Sequence, residues 1–106
     1  MIVSEREIQE LCDKIVKEFN PDKVILFGSY ARGEQRDWSD VDIMVVLPHE
    51  GNGIDESVMM RRKVRPDFPL DLVTYRSEDL DRRYREHDPF VGHALDHCKI
   101  LYDRHS

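Results

Sequence analysis

Cysteine is scarce in this chain, with only Cys12 and Cys98 among 106 residues. Two are too few for a disulfide framework, and their spacing is not that of metal ligands, so both read as reduced thiols in or near a core. Long apolar runs are missing as well. No segment approaches membrane-spanning length, and the opening MIVSEREIQE turns acidic at once without an apolar signal core. The expectation is a cytoplasmic protein with no membrane contact. Positive charge is in deficit, 16 Lys and Arg against 22 Asp and Glu, for a net charge of −6. That balance argues against a broad basic face, so direct nucleic-acid binding is not expected. A small anionic ligand stays open, because bound cations invert a local field. Repeats, linkers and low-complexity tracts are also absent. At this length one domain over 1–106, with one small core, is expected.

What is present alternates between helical and strand periodicity. Ser4 and Glu7 have the form of a capping box, and Ile8, Leu11, Cys12, Ile15, Val16 and Phe19 recur at helical steps until Asn20-Pro21-Asp22. KVILFG then reads as a buried strand closed by glycine. DVDIMVVL (40–47) reads as a second strand, with Asp40, Asp42, Met44 and Val46 on one face and Val41, Ile43, Val45 and Leu47 on the other. PHEGNGIDES is a polar loop, and 56–65 is a weak helix using Val58, Met59 and Val64 as apolar contacts. FPLDLVTY is the third strand. Ser77 is expected to cap a helix to about His87, and Asp88-Pro89 to open another carrying Phe90, Val91, Ala94, Leu95 and Cys98. KILYD closes the chain as an extended piece. The pattern predicts a small α/β (α+β) domain with a three-stranded mixed sheet flanked by helices.

The chemistry concentrates in three acids and a Gly-Ser pair. Asp40 and Asp42 project from one strand face with Cα atoms roughly 6–7 Å apart, and a neighbouring third strand would bring Asp71 about 4.8 Å to the side. Three converging carboxylates can grip two metal ions about 3.5–4 Å apart, the separation used for in-line phosphoryl displacement. Without cations they repel one another, whereas Mg²⁺ turns the repulsion into ligation by hard oxygen donors. Gly28, after a strand, lets backbone approach a ligand, and Ser29 with the following amides offers donors to an anion.

GSYARGEQRDWSDVDIMVV, followed by PLDLVTY, resembles the signature of the minimal nucleotidyltransferases of the DNA polymerase β superfamily. The resemblance spans essentially the whole chain and implies a polymerase-β-like nucleotidyltransferase domain. It implies that Gly28 and Ser29 bind the triphosphate of ATP. It further implies that Asp40 and Asp42 ligate two Mg²⁺ ions, and that Asp71 ligates the one activating the acceptor hydroxyl. Free-standing members of this kind pair with a helical HEPN ribonuclease toxin encoded nearby. The implied activity is therefore AMP transfer to a tyrosine of that toxin, with this chain as antitoxin. Two other readings stand beside it: transfer to a small molecule of the aminoglycoside type, and a non-catalytic antitoxin that neutralises by binding.

Other features have plainer explanations. Arg32 could touch a phosphate or brace the turn, and Gly33 serves a positive-φ turn. Trp38 is expected to pack the loop as an anchor. His93 and His97 with Cys98 superficially suggest zinc but lack a second ligand pair, and read as surface or interface residues. RRKVR (61–65) and RRYR (82–85) read as solvated helix faces, and Met59-Met60 as core. The face at 89–98 is a candidate partner interface.

Overall fold

Ser4 sets the start of helix α1 (Glu5–Phe19): its hydroxyl accepts from the Glu7 amide while the Glu7 carboxylate accepts from the Ser4 amide. The helix stops at Asn20, which takes the left-handed conformation at φ 48°. The structure is a computed structural model and describes residues 2–49 and 53–105. Its elements continue as β1 (Lys23–Phe27), the single turn α2 (Ser29–Arg32), β2 (Val41–Val46), α3 (Gly53–Val64) and β3 (Leu70–Tyr75). They end with α4 (Ser77–Arg85), α5 (Pro89–Asp96) and β4 (Lys99–Asp103).

Among the described residues the sheet has four strands in the order β3-β2-β1-β4, one more than the sequence pattern predicts. β1 runs antiparallel to β2 and β4, while β2 and β3 are parallel and joined through α3. KILYD is thus not a loose extended tail but the edge strand beside β1. Its residues are exposed or half-buried, so no buried apolar run distinguishes them. The central position of β1 and β2 explains their almost unbroken apolar sequence, because both faces are covered. β3, at an edge, alternates instead: Leu70, Leu72 and Thr74 are buried, whereas Asp71 is exposed.

The two sheet faces carry separate clusters. Ile8, Leu11, Cys12 and Ile15 of α1 and Met60 and Val64 of α3 pack on Val24, Leu26, Val41, Ile43 and Val45. On the other face Leu80 of α4 and Val91 and Ala94 of α5 pack on Ile25, Phe27, Met44 and Val46. Several local expectations shift. α3 begins at Gly53, and it buries Met60 and Val64 while Val58 and Met59 each remain 46% exposed. Within the loop expected at 48–57, residues 50–52 lie outside the described residues. Arg76, not Ser77, occupies the cap position of α4 and makes no side-chain cap. Asp88 caps α5 as expected, accepting from the Val91 amide with Pro89 in the first turn.

Candidate active site

The candidate residues meet at one end of the sheet, where β1 finishes and β2 and β3 begin. The ladders place Phe27 opposite Asp42 and Asp42 opposite Asp71, so these three lie in one row across β1, β2 and β3. Strand alternation puts Asp42 on the face of Met44 and Val46, the face packed by α4 and α5. Those helices cover the far part of that face and leave Asp71 exposed. Asp40 lies just before β2 and is also exposed.

Asp42 is half-buried and electrostatically burdened. Burial, then the charges of Asp71 and Asp40, push its carboxyl from 3.8 up to about 6; Arg32 offsets part of this, and a hydrogen bond with Asp71 adds to the rise. Crowding without a counter-ion makes the more buried carboxyl the harder one to ionise. Among the described residues no group of three His, Cys, Asp or Glu side chains forms a ready metal cage. Asp42 and Asp71 are paired in register, and the charge of Asp40 acts on Asp42 from the adjoining loop.

Gly28 connects this pair to the anion cradle. It precedes α2 with φ +73°, a left-handed conformation, and its Cα faces the Asp42 side chain. A methyl group there would stand 2.0 Å from Asp42 Oδ2 and 2.9 Å from its Cγ. Ser29 is the first residue of α2. Behind it Tyr30 is buried and its hydroxyl accepts from the Val3 amide at 3.0 Å, which ties the turn to the chain's start. Gly33, at φ +73°, ends the turn as expected.

Trp38 departs from expectation. A turn closed by the Ser39 amide donating to the Arg36 carbonyl, and the Arg36 amide to Ser39 Oγ, both at 2.9 Å, holds the indole 78% exposed. It does not anchor the loop. The sequence pattern also gave no hint that Phe90 would meet Phe27 edge-to-face at 5.7 Å beside the row of acids. A cavity of about 400 Å³ lined by Thr74, Tyr75 and Arg83 opens at the opposite end of β3 and contains none of the three acids.

A mixed sheet that brings paired acids against a glycine-led turn is the arrangement of a nucleotidyltransferase. Residues 8–101 match the family described as "Nucleotidyltransferase domain", and the chain belongs to it. "Putative protein adenylyltransferase MJ1305" of Methanocaldococcus jannaschii is 32% identical over 108 residues, covering 92% of this chain and 70% of that one. "Putative protein adenylyltransferase MJ1379" of the same organism is 51% identical over 100 residues, covering 86% and 87%. A solved nucleotidyltransferase-like structure from Sulfolobus solfataricus superposes with TM-score 0.67 at 24% identity, covering 95% of this chain and 81% of that chain, and shares the fold. A toxin–antitoxin crystal structure with AMP-PNP superposes with TM-score 0.54 at 26% identity, covering 95% and 74%.

Proposed function

We propose that this nucleotidyltransferase moves AMP from ATP to a tyrosine hydroxyl of a partner toxin of the HEPN kind and so serves as its antitoxin. The observation that carries the catalytic part is the in-register placement of Asp42 beside Asp71, with Gly28 against Asp42. The protein acceptor is supported by relatives named as protein adenylyltransferases, and the antitoxin role by the similar toxin–antitoxin structure with AMP-PNP. The HEPN identity of the partner, encoded nearby, follows from the family resemblance.

The residues fit magnesium. Two hard oxygen donors lie in register on adjacent strands, and the crowding of negative charge that raises the pKa of Asp42 is what a divalent cation relieves. Asp40, Asp42 and Asp71 would hold two Mg²⁺ ions, with the triphosphate and water completing the shells. When bound, the ions neutralise charge on the phosphates and make the acceptor hydroxyl easier to deprotonate.

The chain's own groups do the rest. Gly28 admits the triphosphate close to backbone, and the Ser29 hydroxyl donates to a phosphate oxygen. Asp71, exposed at the β3 edge, receives the tyrosine proton. The phenolate oxygen bonds to the α-phosphorus, and the bond from that phosphorus to the β-bridging oxygen breaks. Pyrophosphate leaves with the electron pair, and Asp71 returns its proton to solvent.

Incubation with Mg²⁺, α-labelled ATP and the neighbouring gene's product tests this directly. Label should appear on the partner and vanish with Asp42→Asn, while the complex still forms. Label persisting at the wild-type rate in that variant would sink the metal assignment. A variant that neutralises the toxin without any transfer would instead mark a binding antitoxin.

A further inference from the structure

The basic run RRYR (82–85) ends α4 and takes no part in the site above. Arg82 is held by Asp79 and Glu86, and Arg83 by Asp88 at 3.1 Å. Arg85 is exposed and, among the described residues, has no ion pair. Tyr84 stands within this run. Of the four tyrosines, Tyr30 is buried with its hydroxyl on the Val3 amide, and Tyr75 and Tyr102 are half-buried. Tyr84 alone is exposed, at 46%. Its hydroxyl donates to Asp96 Oδ1 at 2.9 Å, across the groove between α4 and α5. A cavity of about 550 Å³ opens beside the pair, lined by Tyr84, Arg85, Gly92, His93 and Asp96. A surface hydroxyl, a carboxylate already placed to take its proton and an uncommitted cation thus lie together.

We propose that Tyr84 is itself adenylylated, by the active site of a second copy of this chain. The inference rests on the transfer reaction above and adds a second acceptor for it. A route within one molecule is closed. Phe90, at the start of α5, rests on Phe27 in the row of acids. Asp96 follows six residues later, about 9 Å further along the helix at ordinary rise. A hydroxyl tied there is far outside the roughly 3–3.5 Å that attack on phosphorus demands, so another copy must supply the site. The two surfaces are complementary in charge. Asp40 and Asp71 are exposed at the acid-bearing end, and three carboxylates with a triphosphate outweigh two divalent cations, so the loaded site stays negative. Arg85 brings the opposite sign on a chain of net charge −6, and a rim cation of this kind speeds encounter. In the reaction, the Tyr84 proton passes to Asp96, which already accepts it. The phenolate oxygen then bonds to the α-phosphorus of the ATP held by the second copy. The bond from that phosphorus to the β-bridging oxygen breaks, and pyrophosphate leaves with the electron pair.

Incubating the full chain alone with Mg²⁺ and α-labelled ATP, followed by peptide mass spectrometry, tests this. Label is expected on the peptide bearing Tyr84, with an initial rate that rises as the square of protein concentration. Tyr84→Phe should lose it while still labelling the partner toxin. The change removes one exposed hydrogen bond, and a thermal melt checks that the variant is folded. Mixing then separates donor from acceptor. Asp42→Asn keeps Tyr84 but cannot transfer, and Tyr84→Phe transfers but lacks the acceptor. Neither should become labelled alone, and the mixture should label only the Asp42→Asn chain. Arg85→Glu should slow self-labelling about tenfold through the encounter, and Asp96→Asn about 100-fold through the lost proton acceptor. Label on another residue, or none from a preparation that labels its partner, would overturn this inference and leave the transfer reading standing. No label on either protein would overturn both.

Discussion

The two faces of the sheet are built unequally. Among the described residues, the cluster under α1 and α3 contains sixteen buried side chains and the one under α4 and α5 contains seven. The larger cluster runs the length of β1 and β2 and admits no charge. The smaller stops at Met44 and gives its end to Asp42, beside exposed Asp71 and half-exposed Phe90. One face therefore holds the fold, which allows the other to carry acids that weaken it.

Ile43 and Phe90 give the sharpest contrast. Ile43 is fully buried at the centre of the larger cluster, and Ile43→Ala should cost about 3–4 kcal/mol through lost burial and a cavity that cannot collapse. Phe90, 47% exposed and resting on Phe27, should cost about 1 kcal/mol or less when changed to Ala. Urea denaturation of the two variants measures the difference. Equal losses would mean that the smaller face contributes more to stability than its packing implies.

Gly28→Ala should separate function from stability. The new methyl meets the Asp42 side chain from Oδ2 at 2.0 Å back to Cβ at 3.2 Å, and φ +73° with ψ −155° is a backbone conformation that only glycine adopts readily, so the fold should lose about 2–3 kcal/mol. The displaced carboxylate can no longer sit where the α-phosphorus needs it, and a misplacement of about 1 Å is enough for roughly a 100-fold loss of transfer. Initial rates with labelled ATP, read beside a melting curve, would show whether the two losses part in this way. Proportionate losses would argue that Gly28 serves the fold alone.

Much of this site is legible from residues close in sequence. Asp40 and Asp42 share a face through strand period, and Gly28-Ser29 follows a buried run. Asp71 requires one long-range assumption, that the third strand lies beside the second, and the register bears it out. What escapes the sequence is whatever depends on the fourth strand. KILYD shows no buried pattern because it is an edge, so nothing connects Lys99, His93 and His97 to the turn at Arg32 until the β1–β4 ladder is seen. Trp38 misleads for a different reason. Large aromatics are usually at least partly covered, but the closed turn from Arg36 to Ser39 fixes this one outward.

The most direct reading of the unequal faces is a gain in stability rather than a loss. Asp42 binds its proton with a pKa of about 6 in the fold against 3.8 when unfolded, so between those values the folded state holds more protons. Stability due to this group is present at low pH, falls as pH rises through about 4 to 6, and stays reduced above that. Asp42→Asn removes the penalty. At neutral pH without metal the variant should be more stable than the wild type by about 1–2 kcal/mol, a figure reduced for the solvent that screens a half-buried carboxylate. The gap should shrink toward zero near pH 4, and magnesium should narrow it at neutral pH by stabilising the wild type more than the variant. Melting curves at several pH values, with magnesium and with chelator, test both points. A variant less stable than the wild type in chelator at neutral pH would show that Asp42 holds the fold together, and that the thin face is not the one strained for chemistry.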